Sequence, residues 1–289
     1  MKEVTVLSGK GGTGKTTLLA SFAALAPGSI TADCDVDAPN LHLLLSGERV
    51  EEGPFSASQV ASIDMVACTH CRCCADACRF GAVHLDDPVR GPFVEGLSCE
   101  GCHLCWRLCP SEAIAMRDRT SGHWMVTRTP QGMMFHARLD PGEGNSGKLV
   151  SLLKRKARAY GKSNGTPLLL VDGPPGIGCA AIASLSGADL AILVTEPTRS
   201  GLSDLERVVR LCRQMDVRPA VVINRWDLSP PLAEEIEQWA RGEGAVILGR
   251  IPFDDAVHRC MASGIVVVSS PSPAGAAIRE VWRRAAGFL

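Results

Sequence analysis

The chain has 289 residues, 46% of them hydrophobic and 21% charged, and a formal net charge of −1 at pH 7. That is enough apolar material for one large core plus a small insert, and the near-neutral balance excludes the global basic field that draws proteins onto nucleic acid. No apolar run approaches the length of a bilayer span, and residues 1–8 read as a strand rather than a targeting peptide, so a cytoplasmic protein is expected, with neither nucleic acid nor membrane as partner. In chain order, short apolar runs predict strands at Val4–Ser8, Ser29–Asp33, Leu168–Asp172, Leu190–Thr195, Ala220–Asn224 and Val246–Ile251. Amphipathic stretches predict helices at Lys15–Ala26, Lys148–Tyr160, Gly178–Ser184, Ser200–Met215, Pro230–Glu243 and Ala274–Gly287. Their alternation is the signature of an α/β fold with a doubly wound, mostly parallel sheet. Residues 60–118 interrupt it as an insertion between 1–59 and 119–289, and a hairpin-like stretch from His123 to Leu139 leads back to the sheet.

Eight of the thirteen cysteines form two copies of one spacing, Cys68-x2-Cys71-x2-Cys74-x3-Cys78 and Cys99-x2-Cys102-x2-Cys105-x3-Cys109, the second followed by Pro110. A cubane cluster needs four thiolates, and three cysteines at this spacing wrap one short loop around three of its corners. In two-cluster bacterial ferredoxins the fourth cysteine of each run ligates the other cluster. That rule assigns Cys68, Cys71, Cys74 and Cys109 to one 4Fe-4S cluster, and Cys99, Cys102, Cys105 and Cys78 to a second. The copies start thirty-one residues apart, as an internal repeat folding into a bacterial-ferredoxin-like α+β module would. Zinc is the alternative for Cys-x2-Cys pairs; a disulfide framework does not suit a cytosolic chain. The first run departs from the pattern: Arg79 stands where proline is usual, and Cys73 adjoins Cys74. Either cysteine can be the third ligand; spacing favours Cys74 and leaves Cys73 as a spare thiol. Arg79 places a fixed positive charge that would favour a cluster's reduced state.

Gly9-Lys10-Gly11-Gly12-Thr13-Gly14-Lys15-Thr16 matches G-x4-G-K-[ST] between an expected strand and an expected helix, the context a phosphate-binding loop requires. Glycines let the backbone amides turn toward phosphates, and the helix adds its positive N-terminal end. Gly9, Gly11, Gly12, Thr13, Gly14, Lys15, Thr16 and Thr17 are therefore expected around a nucleotide, Lys15 at the terminal phosphates and Thr16 on Mg2+.

Lys10, at the second position of the loop, marks a subclass. Together with Asp33-Cys34-Asp35-Val36-Asp37-Ala38-Pro39-Asn40, Asp172-Gly173-Pro174-Pro175-Gly176 and Val222-Ile223-Asn224-Arg225, it makes the chain resemble the MinD/ParA/Mrp family of deviant Walker A P-loop ATPases, of SIMIBI type. Within that family it looks like the MinD-type ATPases with an inserted two-cluster ferredoxin domain, and the resemblance covers nearly the whole chain. It implies an ATPase in which Lys10 reaches across a nucleotide-sandwich dimer, either a homodimer or a heterodimer with a paralogous ATPase. It further implies that Asp35 orients the attacking water, with Asp33 and Asp37 as alternatives, and that Asp172 holds Mg2+ through water. Pro174-Pro175-Gly176 would form the second switch, Asn224 would read adenine, and Pro252 with Asp254 would line the base pocket. Capping or turn formation competes for Asp33, Asp37 and Asp254. The catalytic set expected on this basis is Lys10, Lys15, Asp35 and Asp172.

Cys179 occupies the offset from Asp172 at which the nitrogenase iron protein, a member of the same family, holds a bridging cluster; no second cysteine matches, and a small buried residue is the expectation. Asn145-Ser146-Gly147-Lys148 precedes a helix and reads as an ordinary helix start or an anion contact. The amphipathic C-terminal stretch is similar to the membrane-targeting helix of MinD, but packing against the sheet is the stronger expectation. The leading function expected is ATP-driven conformational change coupled to low-potential electron transfer toward a redox or metal-cofactor protein. The alternatives are an ATP-dependent scaffold or carrier in cluster assembly, and a membrane- or DNA-associated positioning ATPase.

Overall fold

A mixed α/β architecture with a large, mostly parallel sheet is what the alternating pattern produces. The computed structural model describes residues 1–289. In chain order its elements are β1 (Lys2–Ser8), α1 (Lys15–Leu25), β2 (Ile30–Asp33), α2 (Leu41–Leu44), β3 (Glu48–Ile63), α3 (Cys73–Asp76), β4 (Val83–His84) and β5 (Phe93–Val94). There follow α4 (Leu104–Leu108), β6 (Ile114–Arg128), β7 (Met133–Leu139), α5 (Ser146–Asn164), β8 (Leu168–Pro175), α6 (Cys179–Leu185), β9 (Leu190–Thr195) and α7 (Arg199–Gln214). The chain ends with β10 (Arg218–Asn224), α8 (Pro230–Gly242), β11 (Val246–Ile251), α9 (Asp255–Ala262) and α10 (Pro273–Ala286). No helix is long and apolar enough to cross a membrane.

Two units divide these elements: Met1–Gly53, Trp124–Arg138 and Ser146–Leu289 form one, and Pro54–His123 with Leu139–Asn145 the other. The second unit is wider than the interval 60–118 because the long strands β3 and β6 each run through its boundary.

In the first unit the sheet order is β11-β10-β9-β1-β8-β2-β7, followed by β6 and β3. β1 lies between β8 and β9, parallel to both, and β2 joins β8 to β7, again in parallel. β1, β8 and β9 are buried almost throughout, as strands covered by helices on both faces must be. One layer packs α1, α9 and α10 against one face, with Phe22, Leu19, Ile192 and Val281 at its centre. The other packs α6, α7 and α8 around Leu193, Val209 and Ile236. The apolar stripe of α10 belongs to the first layer: Ile278, Val281 and Ala285 are buried, and Trp282 meets Phe22 at 4.9 Å between ring centroids. Its N-cap, Ser272, accepts from the Gly275 N–H at 3.0 Å ahead of Pro273 in the first turn.

Behind this sheet a buried ion pair joins α5 to β1. Lys154 Nζ lies 2.6 Å from Glu3 Oε1, with both side chains almost fully enclosed. The same ammonium donates to the carbonyls of Ala183, Ser184 and Ser186, the last turn of α6 and the residue beyond it. A cation is favoured there because these carbonyls carry the helix's negative end.

The second unit holds the two short helices α3 and α4, the antiparallel pair β4–β5, and a small core of Ala61, Cys74, Val83, Leu85 and Ile114. Its backbone repeats at an offset of thirty-one residues. Left-handed φ angles occur at His70 and Gly101 (56° and 59°), Arg72 and His103 (67° and 65°), and Gly81 and Glu112 (64° and 52°). The hydrogen bonds repeat as well: Gly81 N–H to Cys78 O at 3.1 Å matches Glu112 N–H to Cys109 O at 3.3 Å.

Candidate functional sites

The loop between β1 and α1 closes around a cavity of about 900 Å3 at the C-terminal ends of the strands, the position at which open α/β sheets bind ligands. Gly11, Gly12, Gly14, Lys15, Thr16 and Thr17 line it on one side. Two glycines of the loop are there for steric reasons. A Cβ on Gly9 would collide with Asp204 of α7, and Gly14, at φ +96°, would place one 2.6 Å from the Asn224 amide.

Lys15 and Asp35 line this cavity, and Asp172, buried behind the lining, acts on Lys15 through its charge. Lys15 is buried, and loss of solvent lowers its pKa against the opposing pull of Asp172, Asp35 and Asp33. Asp172 is fully enclosed within β8; burial raises its pKa to about 7, while a hydrogen bond from Thr16 and the charge of Lys15 act the other way. One carboxylate oxygen, Oδ1, is buried without any hydrogen-bond partner. An orphaned acceptor beside a threonine hydroxyl suits a hydrated divalent cation, so Asp172 and Thr16 fit Mg2+ chemically.

The three aspartates of the second strand's end are separated by their surroundings. Asp33 is buried, and its two oxygens accept from the N–H groups of Asp35 at 3.2 Å and Leu41 at 3.1 Å. It does not line the cavity, and burial next to Asp172 raises its pKa well above the usual carboxylate range. Asp35 and the exposed Asp37 do line it. Burial raises the Asp35 pKa too, with Lys15 opposing.

On the opposite side, Asn224 donates to Thr13 O at 2.8 Å and accepts from the Arg225 N–H at 3.0 Å. Its amide thereby ties β10 to the phosphate loop while facing the cavity. Pro252 and Asp254 line the wall, but both Asp254 oxygens are occupied, by the N–H groups of Ala256 at 2.8 Å and Ala274 at 3.1 Å. Asp254 caps α9 and fixes the start of α10. The apolar part of the wall, Leu43, Phe253, Val257 and Met261, was invisible to motif reading because it comes from the short helices α2 and α9 and the segment just before α9. Pro174, Pro175, Cys179 and Ser146 complete the rim; Cys179 is exposed rather than a buried packing residue.

Lys10 does not line the cavity. Its Nζ lies 3.2 Å from Glu196 Oε2, and the other oxygen of Glu196 pairs with Arg225 at 2.7 Å. Glu196 carries no motif, but it directly follows β9, where the strand-end rule would have flagged it.

In the second unit the eight repeat cysteines, all free thiols, sort into two groups of four. Cys68, Cys71, Cys74 and Cys109 surround a small cavity of about 10 Å3, and Cys99, Cys102, Cys105 and Cys78 a larger one of about 240 Å3. Cys73 lines neither; it is exposed, and its thiol points back to the Cys71 carbonyl. Arg79 borders the larger cavity. No three His, Cys, Asp or Glu side chains are arranged to hold a single metal ion.

A phosphate-binding loop at the head of a parallel sheet, with an enclosed lysine and a strand-end aspartate, defines a P-loop nucleotide-binding protein. The chain belongs to the CobQ/CobB/MinD/ParA nucleotide-binding family, whose model matches residues 4–267. It is 30% identical to the uncharacterized protein MJ0578 of Methanocaldococcus jannaschii, over 99% of this chain and 97% of that one. A shorter match, 26% identical over 47% of this chain and 50% of the relative, is to an iron-sulfur cluster carrier protein of Pyrococcus horikoshii. Among solved structures the fold is shared with the MinC:MinD cell division complex of Aquifex aeolicus, at a TM-score of 0.60 and 21% identity over 99% of this chain and 96% of that one. It is shared also with the cell division ATPase MinD of Pyrococcus furiosus, at a TM-score of 0.59, 18% identity and coverage of 100% and 99%.

Proposed function

We propose that the chain is a Mg2+-dependent ATPase that carries two 4Fe-4S clusters in an inserted ferredoxin-like domain, residues 60–118, and couples nucleotide state to low-potential electron transfer toward a redox or metal-cofactor protein. The observation that carries the cluster assignment is the sorting of eight cysteines into two sets of four, each completed by the last cysteine of the other run. The alternating left-handed residues between the cysteines add to it, since such backbone converges N–H groups on an anion. Four thiols ringing a cavity, rather than meeting at a point, suit a cubane whose four corners each take one ligand. The larger cavity has room as it stands, and the smaller requires its rim, which includes the exposed Cys71, to move outward. When bound, such clusters exchange single electrons at potentials tuned by nearby charge; Arg79 supplies positive charge beside the set completed by Cys78.

In the first unit, Lys15 and the loop amides would hold the phosphates, Thr16 and Asp172 the magnesium, and Asp35 would orient water for in-line attack. Phosphoryl transfer asks a protein for positioning and charge stabilisation, and these residues supply both. Lys10 would act on the nucleotide of a second chain in a homodimer or a paralogous heterodimer. Pro174 and Pro175, which lie at the rim, support a second switch there that would sense a terminal phosphate.

An anaerobic redox titration followed by EPR, with iron and sulfide counts and with or without a non-hydrolysable ATP analogue, tests this. Two 4Fe-4S centres are expected, one shifting by about 59 mV on nucleotide binding, which is about 1.4 kcal/mol of coupling. Cluster counts that hold with no shift would favour the second reading, an ATP-dependent carrier, which the partial match to a cluster carrier supports. In that case cluster should pass to an apo-acceptor.

A further inference from the structure

The C-terminal ends of three neighbouring strands, in the sheet order β10-β9-β1, each contribute one charged side chain to a cluster at the border of the nucleotide cavity. Arg225 follows β10, Glu196 follows β9 and Lys10 follows β1. Glu196 stands between two cations, 3.2 Å from Lys10 and 2.7 Å from Arg225, and its side chain is only 14% exposed. A carboxylate with that little water interacts with its partners more strongly than a surface ion pair does. Its position is fixed by the backbone: the Thr198 N–H donates to the Glu196 carbonyl at 2.8 Å, and Thr198 caps α7. Lys10 therefore rests against its own chain although the glycine-rich loop around it faces the cavity. Arg225 shares the carboxylate and also lines the nucleotide cavity, so the cluster touches the site through one residue.

We propose that Glu196 is a positioning residue for Lys10, holding it in a parked state that must be given up before the lysine can serve a nucleotide bound to a second copy of this chain. This rests on the reading that Lys10 acts across a dimer. The chemistry of exchange is simple, one anion for another: the carboxylate of Glu196 competes with the phosphate oxygens of the partner's nucleotide for a single ammonium. Removing the carboxylate's charge should lower the cost of engagement and so lower the protein concentration at which ATP hydrolysis becomes efficient.

The test is the protein-concentration dependence of ATPase activity for the wild type, Glu196→Gln, Glu196→Asp and Lys10→Ala, with fluorescent-nucleotide affinity measured in parallel. Glu196→Gln should shift the half-activation concentration down about tenfold, and Glu196→Asp should restore most of the wild-type value. A Lys10→Ala/Glu196→Gln double variant should behave as Lys10→Ala alone, which a merely structural role for Glu196 would not produce. An unchanged or raised half-activation concentration in a Glu196→Gln protein with wild-type nucleotide affinity would overturn the proposal. So would an unaltered effect of Glu196→Gln in the Lys10→Ala background. If instead wild-type specific activity is independent of concentration and Lys10→Ala matches it, it is the dimer reading that fails, and the parking role fails with it.

Discussion

Raising the pH from about 6 to about 8 should tighten the binding of Mg2+-ADP about tenfold, if the carboxylate proposed to face magnesium, Asp172, titrates in that interval. Asp172 is enclosed within β8, and burial raises its pKa to about 7 in spite of the Thr16 hydroxyl and Lys15. With a midpoint there, roughly one-tenth of the carboxyl is ionised at about pH 6 and roughly nine-tenths at about pH 8, and only the ionised form can hold hydrated magnesium. Binding should therefore release a proton at about pH 6, a quantity that titration calorimetry in buffers of different ionisation enthalpy reads directly. Asp172→Asn should flatten the profile, and omission of Mg2+ should abolish its rise. The same shift has a stability consequence of opposite sense. Asp172 retains its proton in the folded state at pH values where the unfolded chain has lost it, so the nucleotide-free protein should lose stability as pH climbs from about 4 through about 7. A Mg2+-ADP affinity that is level across this range in the wild type would refute the assignment of Asp172 as the metal-side carboxylate.

Gly14→Ala should abolish nucleotide binding, since the new methyl meets the Asn224 amide in a backbone at φ +96°; dialysis with labelled ATP is sufficient to check it. Cys109→Ser should reduce anaerobically reconstituted iron from about eight to about four atoms per chain and spare the centre that includes Cys105, whereas loss of the Cys105 centre alone would reverse the crossed assignment. Lys154→Met should cost about 1–3 kcal/mol in urea unfolding because Glu3 Oε1 loses its ammonium while Arg158 still holds Oε2 at 2.8 Å, and adding Glu3→Leu should recover part of the loss.

The strands of the parallel sheet were legible because each is a short apolar run with both faces covered: β9 and β11 begin and end at Leu190–Thr195 and Val246–Ile251, as the pattern predicts. β3 was not, and the reason is its exposure. Glu48–Ile63 carries charged residues and a Gly-Pro pair at the edge of the sheet, where no hydrophobic period is imposed. The helix α9 escaped because its eight residues are mostly exposed and only Cys260 is buried, which leaves no apolar stripe to read. Its start was marked nonetheless: Asp254 is its cap, and the ambiguity between capping and base contact resolves geometrically into two backbone acceptors.

Motifs name residues without distributing tasks among them, and the two aspartate and cysteine neighbourhoods show what the missing information is. Asp33, Asp35 and Asp37 are equivalent in a string of letters, but the turn after β2 leaves N–H groups that must find acceptors in the interior, and Asp33 is the carboxylate that can reach them. That demand withdraws Asp33 from the cavity and leaves Asp35 facing Lys15. At Cys73 and Cys74 the decision is made by a single helical step: after the left-handed Arg72 the chain enters α3, and the next two side chains diverge, Cys74 into the small core with Ile114 and Cys73 into solvent. The parallel position after His103 is Leu104, which has no thiol to offer, so the repeat itself already distinguished the two cysteines. The offset of thirty-one residues is thus a constraint on backbone as well as on spacing, and it marks Cys73 as the thiol without a counterpart in the repeat, which a count of cysteines cannot do.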